Sequence, residues 1–331
     1  MKHQNGVEED AAMWIGGEPV RRADRIEVRN PFDGALVGSV PAAGPADVRA
    51  GIDAAERSQK EDFPLHARCD VLLRAADRVE AEQKEHAWTI AREGSKTIRE
   101  ARREPIRVAR LLRLAAEEGR RLAGETLPFE SRPGSEKREG YYFRFPVGIV
   151  GAITPFNDPL AMAAHKVAPA LAAGNSVVLK PASATPFSAL LLARHLADAG
   201  LPAGRLSVVT GRGEAVGETL VTDSRIRLVS FTGGIETGER ITRIAGIKKL
   251  AMELGSNSPV IVNADARLEP AVAAIADGAF TQAGQNCLGV QRVLVHEAVY
   301  DDFLGRFTAH TAGLEAGSSL DEKTDVCAMI N

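Results

Sequence analysis

The sequence predicts an α/β protein built on a doubly wound parallel sheet. Two observations carry the prediction. From Val147 to Leu254, short apolar runs alternate with amphipathic helical runs, the rhythm of β-α-β units joined by short connections. Glycines punctuate that rhythm: Gly174 and Gly200 follow helical runs, and Gly217 and Gly234 precede them. A chain of 331 residues is also long enough for two domains and a large core.

Residues 1–45 read as a loosely structured lead-in with short strands. Asn30-Pro31-Phe32-Asp33-Gly34 is a turn by composition, because Pro fixes one dihedral and Asp-Gly supplies the return. A helical texture starts at Pro45, with Val48, Ile52 and Ala55 on one face. A second run spans 66–93, with Val71, Leu72, Ala75 and Val79 inward, and Gly94 interrupts it. A third spans 96–122, where Pro105 is expected to kink the helix or mark a boundary. These segments form a unit over 1–122. Over 123–146 the character changes: Gly124, Pro128, Pro133 and Gly134 punctuate, and 138–145 reads as an aromatic strand. It fits a hairpin arm, either for oligomerisation or along an edge of the same subunit.

The α/β core spans 147–256. Strands are expected at 147–153, 176–179, 206–209, 226–231 and 249–254. Helices are expected at 159–173 and 187–199, after Gly217, and from Gly234 to Ala245. A second block over 257–331 offers strands 260–262 and 290–295 and helices 269–282 and 298–311.

Composition is ordinary for a water-exposed globular chain: 44% hydrophobic, 26% charged, net charge −3. That charge gives no bulk attraction for nucleic acid or an anionic membrane. The polar, acidic start from Met1 to Asp10 has no signal-peptide pattern. Cys69, Cys287 and Cys327 are too far apart for a disulfide framework or metal cluster and fit a reducing cytoplasm. The seven histidines lack metal-ligand spacing, so no metal is expected.

Gly284-Gln285-Asn286-Cys287-Leu288-Gly289 sets one cysteine between two glycines, at a joint between a helical and a strand run. Alone, such a cysteine is more often a small buried hydrophobe than a nucleophile. Gly211-x-Gly213-x-x-x-Gly217 follows a strand and opens a helix, a place for a dinucleotide phosphate, though one residue longer than the usual fingerprint. Thr232-Gly233-Gly234 repeats the arrangement at the next strand end. Asn157, after a buried strand, could aim its amide at an oxyanion; alone it reads more readily as a helix cap. Lys180 at a strand end is either a ribose or phosphate ligand or a solvated charge. Glu253 ends a strand that reads as buried, where desolvation would raise its pKa toward that of a general base; the alternative is a surface strand end.

Ile153-Thr154-Pro155-Phe156-Asn157, Leu179-Lys180-Pro181-Ala182, Phe231-Thr232-Gly233-Gly234, Met252-Glu253-Leu254-Gly255 and Gly284-Gln285-Asn286-Cys287 together resemble the ordered motifs of the NAD(P)-dependent aldehyde dehydrogenase superfamily. The resemblance runs from Asn30 onward. It implies a Rossmann-like cofactor-binding sheet and the beginning of a second, catalytic α/β domain. It implies oxidation of an aldehyde to an acid, with Cys287 as nucleophile. Asn157 and the Cys287 N–H would then act as oxyanion donors and Glu253 as the base that hydrolyses the thioester. Lys180 would hold the adenosine ribose. Ile153, Thr154, Pro155, Ala182, Ser183, Gly213, Gly217, Phe231, Thr232, Gly233, Gly234, Leu254 and Gly255 would surround NAD or NADP. The 123–146 hairpin becomes an oligomerisation arm, so a homo-oligomer is expected.

Ser183 stands where NAD-preferring members often carry a glutamate, which makes NADP use plausible, and Gly234 replaces a usual serine. The 287–292 run and 157–160 look closest to members acting on small polar aldehydes, semialdehydes among them. Arg292 reads as a ligand for a substrate anion or, more readily, as a structural ion pair on its strand. The family's later glutamate–phenylalanine motif and last strand are absent. A chain of this extent is therefore expected to leave apolar faces uncovered, strand 290–295 among them, and to be poorly soluble or incompletely active unless another polypeptide completes it. The alternative readings are an inactive remnant that at most binds a dinucleotide, and a cofactor-free thiol esterase.

Overall fold

The computed structural model describes residues 10–331. Of the lead-in, residues 1–9 lie outside the described residues. Then come β1 (Met13–Ile15), β2 (Glu18–Val20), β3 (Arg25–Arg29) and β4 (Leu36–Pro41). Five helices follow: α1 (Pro45–Ser58), α2 (Leu65–Ala81), α3 (Gln83–Glu93), α4 (Ile98–Ala101) and α5 (Arg103–Arg120). The two long helical runs expected from sequence are each split, at Glu82 and at Arg102. Pro105 marks a boundary, one of the two outcomes expected of it: the break at Arg102 lies just ahead of it and α5 begins at Arg103. It sits in the first turn, where backbone N–H groups have no intrahelical acceptor to lose.

The arm is a two-stranded antiparallel hairpin, β5 (Glu125–Leu127) with β6 (Gly140–Tyr142). β6 is shorter than the expected 138–145 strand. Tyr141, Phe143 and Phe145 are nevertheless exposed, Phe145 at 81%.

The core then alternates as its sequence requires: β7 (Ile149–Ile153), α6 (Pro159–Ala172), β8 (Ser176–Lys180), α7 (Phe187–Asp198), β9 (Leu206–Val208), a π-helical turn at Gly213–Gly217 running into α8 (Glu218–Thr222), β10 (Ile226–Thr232), α9 (Ile235–Ile244) and β11 (Lys249–Glu253). The strands order as β11-β10-β7-β8-β9-β1-β2. The first five are parallel, and β1 and β2 add antiparallel at the edge. The sheet grows in one direction from β7 to β8 and β9, and in the other through β10 and β11. Sheets of this kind bind ligands outside the carboxyl ends of the strands where the order reverses. Here those ends are Ile153 and Thr154 on one side and Phe231 and Thr232 on the other.

Helices cover both faces. One apolar cluster joins Leu72, Leu112, Val167 and Leu196 of α2, α5, α6 and α7. The other joins Ile52 of α1, Leu220 of α8 and Ile241 of α9 with Ile226 and Val229 of β10. A smaller third core lies under β12 (Ser258–Val262), α10 (Leu268–Phe280), β13 (Val290–Val295) and α11 (Tyr300–Ala312), around Val262, Val272, Ile275 and Phe303. β12 and β13 pair in parallel, and Ile261 and Leu294 on them are exposed. Among the described residues no helix is long and apolar enough to cross a membrane.

Candidate active site

Two cavities are lined by successive residues of β10, near its carboxyl end. The larger, of about 730 Å³, is a cleft that brings Cys287 and Glu253 together with Thr232. The smaller, of about 320 Å³, is a groove lined by Ile153, Lys180, Gly213, Gly217 and Phe231. Side chains along a strand alternate between faces, so Ser230 and Thr232 enter the cleft and Phe231 enters the groove.

Cys287 is exposed, and its thiol lies 3.8 Å from the Asn286 side-chain oxygen. Its loop is pinned. Ser256 Oγ donates to the Cys287 carbonyl, and Leu288 N donates to Asn286 Oδ1 at 3.1 Å. Just upstream, Gln282 and Ala283 both adopt left-handed backbone, at φ 58° and 55°. For non-glycine residues this costs about 1–3 kcal/mol each and persists only where surroundings enforce it. One enforcer is Glu100, whose Oε1 accepts from Gln282 N at 2.9 Å.

Glu253 is exposed, contrary to the buried carboxylate expected from its apolar strand. β11 is the sheet's edge, so it lacks a neighbour on its outer side. Lys166 stands near it: burial brings this amine down to about 8, and the Glu253 charge opposes the fall. Lys166 Nζ donates to Ser230 Oγ at 3.0 Å.

Asn157 does not line the cleft. Neither does it cap α6, as the simpler reading had it. Asp158 occupies the N-cap position without a capping bond of its own. The cap comes from another helix: Glu104 Oε1 accepts from Leu160 N at 2.9 Å and Ala161 N at 2.7 Å. The Asn157 amide is left without a protein partner among the described residues.

On the cofactor side, Lys180 is 5% exposed and donates to Pro181 O at 3.0 Å, so it is not a solvated charge. Burial lowers its pKa to about 8. Ser183 Oγ donates to Gly211 O at 2.8 Å. A side-chain carbon added at Gly213, Gly217 or Gly234 would meet nothing within 4 Å. The fold itself therefore does not require glycine there, whereas a ligand lying against the backbone does. On the other side of β10, in the cleft, Thr232 Oγ1 is buried without a partner; it is the groove's lysine and open glycines that bear on a cofactor. These features fit a dinucleotide. Thr154, Pro155, Ala182, Ser183, Gly233, Gly234, Leu254 and Gly255 flank the cavities without lining either one. Gly233 N donates to Glu253 O at 3.1 Å, and Leu254 packs on Gly238 of α9. The expected ion pair at Arg292 is absent among the described residues; its Nε donates to Asn257 Oδ1 at 3.0 Å instead. No group of three metal-ligating side chains occurs among the described residues.

Sequence reasoning missed the cleft's charged wall. Arg103 and Arg107, one turn apart on α5, both line it. Arg103 has no hydrogen-bond or ion-pair partner among the described residues, and Arg107 reaches only Asp158, at 3.9 Å. It also missed a buried knot of Lys96, Glu104 and Asp158 at the cleft's base. The surviving signal was spacing alone: arginines at i and i+4 on a helix share a face.

A family profile described as "Aldehyde dehydrogenase family" matches residues 19–331. An aldehyde-dehydrogenase-like protein of Sinorhizobium fredii is 47% identical over 92% of this chain and 60% of its own length. Aspartate-semialdehyde dehydrogenase 1 of Pseudomonas canavaninivorans is 44% identical over 92% of this chain and 65% of its own. The solved structure of NADP-dependent glyceraldehyde-3-phosphate dehydrogenase from Bacillus halodurans, complexed with NADP, superposes with a TM-score of 0.94 at 37% identity, over 98% of this chain and 69% of that one. The chain thus spans about two thirds or less of the curated relatives named here. By profile, sequence and fold, it belongs to the aldehyde dehydrogenase family.

Proposed function

We propose that this chain serves in oxidising an aldehyde to a carboxylic acid with NAD or NADP, through a covalent intermediate on Cys287. The observation that carries the reading is the shared wall. β10 contributes to both: Ser230 and Thr232 line the cleft of Cys287 and Glu253, and Phe231 between them lines the groove of Lys180 and Gly213 on the other side of the sheet.

Cys287 attacks the aldehyde carbon as the thiolate, forming a C–S bond and a tetrahedral oxyanion. The Cys287 N–H, which has no protein partner among the described residues, is the donor for that charge; the Asn157 amide, also unpartnered but outside the cleft lining, joins it only by turning toward the thiol. A bound dinucleotide supplies the acceptor for the departing hydride. Glu253, exposed at the end of β11, takes a proton from water as the water adds to the resulting thioester. The thiolate then leaves and the acid is released. The aldehyde loses two electrons, and the added oxygen comes from water. Lys180 and the open glycines would hold the dinucleotide along the groove, and Ser183, in place of a carboxylate, would not repel a 2′-phosphate.

The substrate class is a small aldehyde bearing an acidic group. Arg103 and Arg107 present guanidinium donors to the cleft, suited to a carboxylate, sulfonate or phosphate. Two of the relatives named above act, by their names, on anionic aldehydes. Oligomerisation through the 125–142 hairpin and its exposed aromatics accompanies this reading.

The test is nicotinamide absorbance with a panel of acid-bearing and neutral aldehydes, each with NAD and with NADP. Turnover that vanishes in Cys287→Ala supports the reading. Turnover that survives the substitution, or none with any aldehyde, overturns it for this chain.

A further inference from the structure

We infer that Lys96 is a positioning residue that clamps the Cys287 loop to the Asn157 loop through a buried ionic knot. Lys96 lies between α3 and α4, far from both loops in sequence. It is 3% exposed. Its amine donates to Glu104 Oε2 and to Asp158 Oδ1, and each carboxylate has a second task. Glu104 uses its other oxygen to hold the first two backbone N–H groups of α6. Asp158 accepts from Gln282 Nε2 at 3.3 Å with the same oxygen that meets Lys96.

The chain of contacts therefore runs Gln282–Asp158–Lys96–Glu104–α6. One end is the left-handed turn that leads into Cys287. The other is the helix start that follows Asn157, and Asp158 is Asn157's own neighbour. An ammonium is a compact charge with several donors, so one lysine can neutralise two carboxylates and fix both directions. Removing it leaves two buried carboxylates facing each other, and the cheapest relief is for the segments that carry them to move apart. A left-handed pair such as Gln282–Ala283 stays in place only while it is held. Loss of the knot thus frees the thiol's loop as well as the amide's.

This inference rests on the proposed function only for its catalytic meaning, because its test needs no turnover. Amide hydrogen exchange of the full chain, resolved by peptide, is measured for the native protein and for Lys96→Met. The expected result is exchange faster by about tenfold or more in peptides 158–162 and 281–289, with peptide 71–79 of α2 unchanged. Loosening confined to 93–104, or none, overturns the inference. If Lys96→Met loosens the chain everywhere, Gln282→Leu decides, since it cuts only the link between the knot and the cysteine loop. Selective loosening of 281–289 with 158–162 intact supports the clamp, and no change refutes it. Iodoacetamide labelling of Cys287 in the same variants gives the chemical readout: in Lys96→Met its rate should rise several-fold, and an unchanged or slower rate counts against the clamp. A chain that turns over no aldehyde yet loosens selectively loses the proposed function and keeps the clamp.

Discussion

Phe231 and Thr232 are neighbours on β10 that face opposite cavities. Phe231 forms part of the groove wall, and Thr232 part of the cleft that holds Cys287. Strand alternation makes this obligatory: a ligand on one side reaches the other only past the strand's carboxyl end. The two positions should therefore separate by function. Phe231→Leu is expected to weaken dinucleotide binding by about tenfold while leaving the labelling rate of Cys287 unchanged. Calorimetry with NAD and NADP, and peptide-resolved alkylation, check the pair. Equal effects on both readouts would deny the division.

The acid-group wall has a similarly separable signature. Arg103→Ala and Arg107→Ala should each raise KM for an acid-bearing aldehyde by about tenfold and leave a neutral aldehyde such as propanal unaffected. Initial rates with the two substrates suffice. A KM that rises for both would mean the arginines only shape the cleft.

How much of this could be read from the sequence follows from the range of each interaction. The strands of the core were legible because burial on both faces leaves continuous apolar runs such as 149–153 and 176–179, bounded by glycine. Cys287 was legible through Gly284 and Gly289. Lys96, Glu104 and Asp158 were not, because a lysine and an acid in charged helical sequence look like solvated side chains. Their pairing is fixed only when α5 packs on α6. The break at Arg102 was signalled by Pro105, which has no N–H to donate to the carbonyl four residues back. The break at Glu82 escaped for the opposite reason: Glu82 carries no helix-breaking side chain, and packing rather than propensity turns the chain there. Glu253 was misjudged because strand composition does not report whether a strand is central or at an edge.

Stability should fall as pH falls from 7 to 5, owing to a buried histidine pair. His86 of α3 and His195 of α7 are 1% and 0% exposed, and their Nε2 atoms are 2.9 Å apart. One must donate and the other accept, so the two rings cannot both be charged while this bond is made. Burial, with the charge of His195 and of Arg194, lowers His86 to about 3. Burial lowers His195 to about 4 against the charge of Glu82. The unfolded chain takes up protons near 6.5 and the folded chain does not. Their contribution is thus full above that value and is lost as pH falls toward 4, at about 1.4 kcal/mol per unit for each histidine. Glu93 opposes this: burial raises it to about 7, so its contribution is present below 4.5 and fades as pH rises through 7. The comparison that isolates the pair is urea unfolding of the native chain and of the His86→Leu, His195→Leu double variant. The stability difference between them should change by about 3 kcal/mol per pH unit between 5 and 6. A difference that changes by only about half as much would mean that one ring titrates normally, and a difference independent of pH would mean that both do.

The glycines of the 211–217 turn offer a test in which fold and ligand predict different outcomes. Gly211 is required by the protein: an added Cβ would lie 2.5 Å from Val216 Cγ2 and 3.1 Å from the Ala43 carbonyl. Gly211→Ala must therefore shift the turn, break the Ser183 contact and cost about 1–3 kcal/mol of stability. At Gly213 and Gly217 the same carbon meets nothing within 4 Å, and neither has positive φ. Alanine there should leave the melting temperature unchanged or slightly raised, because the unfolded chain loses freedom. If a dinucleotide lies against this backbone, both substitutions nonetheless reduce its affinity, by about tenfold. The decisive result is unaltered stability together with weakened binding of NAD or NADP. Unaltered stability with unaltered binding would place the dinucleotide elsewhere, and lost stability would mean the turn is held more tightly than its open surroundings imply.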